Sequence, residues 1–274
     1  MTYSISGYTK ITGVIGHNIY YTKSPLIHNY WYKQYNIDGV YVCFQCESDT
    51  FESSVRGLFN SNVVGLNVTV PFKERAFQLC DILSDEARQA KAVNCLLFKN
   101  NKIIGHNTDG IGFYNSLRYL DNNLDLTDKS ILIIGAGGAS ASIISYLSQF
   151  KVHINLLNRT LHKAYTLADN FSDIIDIKVI DKPCNADIII QTTNVKTIEV
   201  DNILNIPDNI LLQASYIIDI NYGNNAKDFL VKPKLMGIKN CDGSEMLLQQ
   251  AVHAFEFFNT QKTEINTMLR KLIV

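Results

Sequence analysis

Gly135-Ala136-Gly137-Gly138-Ala139 is the first run in this chain whose residue types and spacing suit a specific chemistry. Glycines let backbone N–H groups approach a pyrophosphate closely, and a helix starting behind them adds its positive N-terminal end. The run reads as a dinucleotide cradle, with Ser140 at the third fingerprint position, where glycine or alanine is usual. A glycine turn also serves as a plain strand-to-helix connection, so the reading needs a second set of residues. Asn158-Arg159-Thr160, followed by Lys163, supplies one. An NAD-binding unit carries an acidic residue about 20 positions after the turn to hold the ribose 2′-hydroxyl. Here an amide stands at that place, with a guanidinium beside it and an ammonium one helical turn on. That set attracts a 2′-phosphate and can grip two of its oxygens, so the expected cofactor is NADP.

Three further groups are chemically unusual. Lys73 falls in the first turn of a helix, where the macrodipole favours carboxylates over cations. Just before it, Asn67 and Thr69 alternate with Leu66, Val68 and Val70, so the polar pair leaves the apolar face of a strand. Thr22 and Ser24 place two hydroxyls near the carboxyl end of a strand, where open α/β sheets bind ligands, although Ser24 before Pro25 is equally a helix N-cap. Asp109, after Asn107-Thr108, has a plain use as the cap of a helix running from Ile111 to Leu120.

The elements that must position these residues follow from periodicity. Ile131 to Ile134 is an apolar run too short for a buried helix, so it reads as a central parallel strand. Ile143, Ile144, Leu147 and Phe150 recur at helical spacing behind the glycines. Val152–Leu157, Asp187–Gln191 and Tyr216–Tyr222 read as further strands running into polar turns, and a helix after Lys163 extends to about Phe171. Together they make a doubly wound sheet. Upstream, strands are expected over Lys10–Gly16, Val40–Cys46 and Val63–Val70, with a helix opening at Lys73 and running through Leu83. A hairpin joins Ala92–Phe98 to Lys102–Gly105, and Ser84 caps another helix. Leu247, Ala251, Ala254 and Phe258 make one apolar face of a C-terminal helix. The polar stretch Asp121–Lys129 is the linker into the nucleotide unit.

With 274 residues, 46% of them hydrophobic and 19% charged, the chain suits two globular domains. A net charge of -1 gives no drive toward nucleic acid or an anionic membrane. No apolar run approaches the length of a membrane span, and Met1-Thr-Tyr-Ser lacks the basic and apolar regions of a signal peptide, so a cytoplasmic location is expected. Cys43 and Cys46 have redox-motif spacing but lie on a strand, which turns them to opposite faces, and no second pair completes zinc spacing.

Taken together the motifs resemble the shikimate dehydrogenase family over nearly the whole chain. They are Gly13-Val-Ile-Gly16 with Ser24-Pro-Leu-Ile-His-Asn29, Asn67-Val-Thr-Val-Pro-Phe-Lys73, Ala92-Val-Asn94, Asn107-Thr-Asp109, Gly135-Ala-Gly-Gly-Ala139, Asn158-Arg-Thr160, and Asp242-Gly243 through Gln250-Ala251. The resemblance implies a substrate domain of residues 1–109 plus 245–274, a Rossmann-like NADP domain of residues 110–244, and an active site in the cleft. By the same resemblance Lys73 and Asp109 are the catalytic pair. Thr22, Ser24, Asn67, Thr69, Asn94, Tyr222 and Gln250 hold substrate. Gly135 to Ala139, Asn158, Arg159, Thr160, Lys163 and Gly243 hold NADP. The implied reaction reduces 3-dehydroshikimate to shikimate with NADPH, in a monomer or homodimer without metal.

The chain departs from the family pattern in three places. Thr22 stands where serine is usual, and its methyl narrows the pocket. Asn18 and Tyr21 replace a proline and a histidine. The turn Gln191-Thr-Thr-Asn194-Val-Lys196 lacks the usual asparagine and glycine-methionine end. Rival readings are a quinate/shikimate dehydrogenase, a methyltransferase using the glycine turn, and a non-catalytic NADP-sensing regulator. Asn158 argues against the methyltransferase, which would carry an acid there.

Overall fold

A computed structural model describes residues 5–193, 204–223 and 227–273. Its contacts divide the chain into two compact units, one of residues 1–112 with 247–274 and one of residues 113–246.

The first unit holds a six-stranded mixed sheet. Its strands are β1 (Lys10–Gly16), β2 (Gly39–Gln45), β3 (Val63–Val68), β4 (Ile82–Leu83), β5 (Cys95–Lys99) and β6 (Lys102–His106), in spatial order β2-β1-β3-β5-β6-β4. β1 pairs in parallel with β2 and β3, while the β5–β6 hairpin adds antiparallel strands. Asn100 and Asn101 make its two-residue turn with φ of 53° and 55°, the left-handed pair that such hairpins need. Alternation along β1 divides the core. Val14 faces α1 (Ser24–Gln34), α10 (Ser244–Asn259) and α11 (Thr267–Ile273), whereas Ile15 faces α2 (Phe51–Phe59), α3 (Lys73–Leu79) and α4 (Asp85–Ala90).

The second unit is a six-stranded parallel sheet of β7 (Ser130–Ile134), β8 (His153–Leu157), β9 (Ile177–Ile180), β10 (Ile188–Gln191), β11 (Tyr216–Asp219) and β12 (Lys239–Cys241). Their order, β12-β11-β10-β7-β8-β9, is that of a dinucleotide-binding fold whose direction reverses between β7 and β10. Ile131, Leu132, Ile133 and Ile134 are fully buried, as a strand covered on both faces requires. Ile131 and Ile133 pack with α5 (Asp109–Leu120), α6 (Gly138–Leu147) and α7 (Leu161–Asp169). Leu132 and Ile134 pack with α8 (Asp208–Leu211) and α9 (Lys227–Leu235).

Several expectations are corrected. Ser24 is not an N-cap. Lys23 occupies the cap without a side-chain cap bond, Ser24 N donates to Thr22 Oγ1 at 3.3 Å, and the Ser24 hydroxyl is used elsewhere. The helix opening at Lys73 stops at Leu79, because Ile82 and Leu83 pair with Ile104 and Gly105 as a short edge strand. The strand from Val63 ends at Val68, leaving Val70 exposed. On α10 the buried face runs through Leu248, Ala251, Ala254, Phe255 and Phe258, with Leu247 only half-buried. Ser84 does cap α4, accepting a bond from Ala87 N. All six cysteines are free.

Phe255 is the keystone of the α1–α10 contact, fully buried with its ring 5.3 Å from Trp31 and 5.2 Å from Tyr32. Phe255→Ala is expected to cost about 3–5 kcal/mol. Urea denaturation followed by the fluorescence of Trp31, the single tryptophan, measures it. A loss under about 1 kcal/mol would show that this contact closes over the cavity.

Candidate active site

In the first unit one hydrogen-bonded chain links residues far apart in sequence. Thr22 Oγ1 donates to Ser24 Oγ at 3.2 Å, and the buried Ser24 hydroxyl is bonded to Tyr41. Tyr41 OH donates to Asn67 Oδ1 at 2.8 Å, and Asn67 Nδ2 reaches Asn94 O and Cys95 Sγ, each at 3.2 Å. Asn94 Nδ2 then donates to Asp109 Oδ1 at 2.7 Å and to Thr108 Oγ1 at 2.9 Å. The chain ends at the ion pair of Lys73 Nζ with Asp109 Oδ2 at 2.6 Å, whose side chains are 14% and 7% exposed.

Each member is set by the element that carries it. β3 ends at Val68, and the turn through Pro71 starts α3 at Lys73, so the lysine enters at the carboxyl edge of the sheet. Asp109 is the first residue of α5, but it is not a cap: Asn107 Oδ1 accepts from Asp109 N at 3.0 Å, which frees the Asp109 carboxylate for Lys73 and Asn94. The register pairing Cys95 with His106 brings Asn94 beside Thr108, whose N–H donates to Asn94 Oδ1 at 2.9 Å. An ammonium aimed by a carboxylate, itself aimed by a buried amide, can pass a proton to a developing oxyanion.

The other expected substrate residues fall as follows. Thr69 packs against Gly16 at the end of β1, and Gln250 packs against Gly112 of α5, one turn beyond Asp109. Tyr222 belongs to the second unit and is half-buried. Asn194 to Lys196 of the atypical turn lie outside the described residues. Tyr41, Asn107, Thr108 and Cys95 join the network without having been singled out. Asn107 and Thr108 stand beside Asp109 in sequence, but for Tyr41 and Cys95 nothing local marked them. Burial pushes the Tyr41 hydroxyl and the Cys95 thiol well above their ordinary pKa values, so both remain neutral hydrogen-bonding groups.

In the second unit the residues fit a dinucleotide. Gly135, with φ of 119°, turns the chain where a side chain would meet Thr192 Oγ1. Gly137 is exposed with open space where a Cβ would stand, and α6 begins at Gly138 with no side chain capping its first N–H groups. Ala136 and Ala139 flank it, half-buried. Ser140 Oγ instead bonds Thr192 Oγ1 at 2.7 Å, tying α6 to the end of β10. Asn158 Nδ2 donates to Thr160 O at 2.8 Å, turning the chain after β8 so that Arg159, Thr160 and Lys163 stand exposed. Exposed cations beside an open glycine turn suit the chemistry of a phosphate and a pyrophosphate. Gly243 is buried and donates its N–H to Asn221 O at 2.7 Å. Any side chain there would strike the Ile220 carbonyl, which explains the glycine without a ligand.

Asn94→Ala would leave Thr108 N and Asp109 Oδ1 without their partners. Urea denaturation is expected to show a loss of about 2–4 kcal/mol. Unchanged stability would mean that other groups satisfy these atoms.

Comparisons with known proteins identify the family and the fold. Residues 14–96 match the family model described as the shikimate dehydrogenase substrate binding domain, and residues 119–228 match that of shikimate / quinate 5-dehydrogenase. The chain is 35% identical over 269 residues to the shikimate dehydrogenase (NADP(+)) of Caldanaerobacter subterraneus subsp. tengcongensis, covering 93% of this chain and 95% of that one. The crystal structure of shikimate dehydrogenase from Aquifex aeolicus, 33% identical, superposes with a TM-score of 0.86 over 98% of both chains. A shikimate dehydrogenase in complex with NADP+, 28% identical, gives 0.87 over 98% of this chain and 96% of that one. A parallel dinucleotide sheet, a lysine–aspartate pair on the other unit and relatives spanning the full length lead to one assignment: the chain belongs to the shikimate dehydrogenase family.

Proposed function

We propose that this chain is an NADP-dependent shikimate dehydrogenase that reduces 3-dehydroshikimate to shikimate with Lys73 and Asp109 as its acid–base pair. The observation that carries the residue assignment is the 2.6 Å contact of Lys73 Nζ with Asp109 Oδ2 at the end of a buried polar chain. Bound NADPH supplies the hydride. As the ketone carbon accepts it, charge gathers on the carbonyl oxygen, and the Lys73 ammonium stabilises that charge and delivers the proton. Asp109 aims the ammonium, and Asn94 aims Asp109.

Thr22, Ser24, Asn67, Thr69, Asn94, Gln250 and Tyr222 are assigned to the substrate's carboxylate and ring hydroxyls. In this reading residues 1–109 plus 245–274 bind substrate and residues 110–244 bind NADP. Gly135 to Ala139 cradle the pyrophosphate, Asn158 to Thr160 with Lys163 receive the 2′-phosphate, and Gly243 shapes the same face. The chain works in the cytoplasm as a monomer or homodimer. No helix among the described residues is long and apolar enough to cross a membrane. A relaxed preference that includes quinate is the second reading, favoured by the extra methyl that Thr22 carries in place of a serine. Comparison of kcat/KM for shikimate and quinate separates the two.

Lys73→Ala is expected to lower kcat by about 10²-fold or more, with NADPH affinity nearly unchanged. Near-normal kcat in steady-state assays would remove Lys73 from the mechanism. Arg159→Ala is expected to raise KM for NADPH about tenfold while leaving that for NADH unchanged, since a guanidinium–phosphate pair contributes roughly 1.5–3 kcal/mol. Equal effects on both cofactors would show that Arg159 does not meet the 2′-phosphate.

A further inference from the structure

Asp219 ends β11 with no exposed surface, and its two oxygens are treated differently. Oδ1 accepts from Asn221 N at 2.9 Å and from Asn221 Nδ2 at 2.8 Å. Oδ2 has no partner among the described residues. Among the described residues no cation is paired with it. β10 presents Gln191, paired in register with Asp219, and the Gln191 amide is spent on Thr193 N and O. β12 ends at Cys241, and Asp242, between β12 and α10, is the charged group that acts on Asp219, so its charged neighbour is negative. Such a group titrates late: burial first, then Asp242, raise the Asp219 carboxyl to about 7 against the pull of the two Asn221 bonds.

Its place in the sheet gives this charge a use. A doubly wound sheet binds one nucleotide on each half, across the carboxyl ends of the strands. Arg159 and Lys163 follow β8, so β7 to β9 take the adenosine 2′-phosphate half and β10 to β12 take the nicotinamide half. Asp219 is the buried carboxylate at the carboxyl end of the middle strand of that second half. Asn221, which it holds, also donates to Thr193 O at 2.8 Å and accepts from Gly243 N, so the carboxylate is fixed to the ends of β10 and β12.

NADP+ and NADPH differ at the ring, which is cationic when oxidised and neutral when reduced. We propose that Asp219 is a specificity-determining group for the oxidation state of the cofactor, its ionised carboxylate favouring NADP+ over NADPH. This rests on the assignment of NADP to the second unit. A carboxylate without a cation of its own in a dry site gains most from a cationic ring nearby, and loses that gain when protonated. Below its pKa the carboxyl is neutral and the preference vanishes. Above it the charge is present and NADP+ is favoured.

The test is equilibrium binding of NADP+ and of NADPH by fluorescence or calorimetry, from about pH 5.5 to about pH 8.5, expressed as the ratio Kd(NADPH)/Kd(NADP+). Both ligands carry the same 2′-phosphate, so its own titration cancels. In the wild type the ratio is expected to rise about tenfold as pH passes through the Asp219 pKa. In Asp219→Asn, which keeps an acceptor for Asn221, it is expected to stay flat at the low-pH value. Asp242→Asn removes a like charge and is expected to move the rise to lower pH, a shift that lost packing would not produce. Binding of 2′,5′-ADP, which lacks the ring, reports that each variant is folded and is expected to match wild type. A wild-type ratio independent of pH, or an equal rise in Asp219→Asn, overturns the proposal. Failure of wild type to bind 2′,5′-ADP overturns the NADP assignment beneath it.

Discussion

A lysine ammonium and a carboxylate held 2.6 Å apart with little exposure set the terms for the first unit. Removing two such charges from water costs several kcal/mol per ion, and their mutual attraction offsets this only when the remaining hydrogen-bonding capacity is also filled. The fold supplies what is missing. Asn94 occupies the second carboxylate oxygen, Asn107 takes over the capping of α5, and Thr108 fixes Asn94 from both sides. The pair is therefore unlike a surface salt bridge, whose geometry is loose and whose contribution is small. Its position depends on a hairpin register, on where β3 ends and on which residue starts a helix.

Behind the pair lies a second layer that is mostly uncharged. Tyr41 holds Asn67, and His28 lies flat against Tyr41, ring centroids 4.1 Å apart at 12°. Burial drives the His28 pKa down to about 3, and neither ring nitrogen has a partner among the described residues. A neutral imidazole stacked on a phenol gives a stiff apolar wall behind the polar chain. Lowering pH below the unfolded-state value of about 6.5 favours the unfolded chain, which can protonate His28 while the native state cannot.

What the sequence made legible was whatever a short window specifies. Ile131 to Ile134 reads as a covered parallel strand because every position is apolar, and it is one. Lys73 stood out because a cation in a first helical turn opposes the helix dipole, and the structure supplies the compensating carboxylate. Local signals failed where two of them competed. Ser24-Pro25 carries a strong capping pattern, yet the hydroxyl turns to Tyr41 and the helix begins one residue earlier. Leu79 to Leu83 continues a helical pattern, yet pairing with β6 takes Ile82 and Leu83 into the sheet. Tyr41 was invisible because its partner Asn67 is brought near only by the order β2-β1-β3, which no window contains.

The contrast between two buried aspartates explains how one sheet-based chain divides its electrostatic work. Asp109 is 5% exposed and Asp219 is 0% exposed, so burial alone does not separate them. Their partners do. Asp109 faces an ammonium and a side-chain amide, whereas among the described residues Asp219 faces the donors of Asn221 and has another carboxylate as its charged neighbour. Hydrogen bonds from neutral amides stabilise a carboxylate, but in a dry site they do not replace the field of a cation. The first arrangement keeps its charges inside the protein and offers a proton at a fixed point. The second leaves an uncompensated charge, which a folded protein tolerates most readily where a bound cation can complete it.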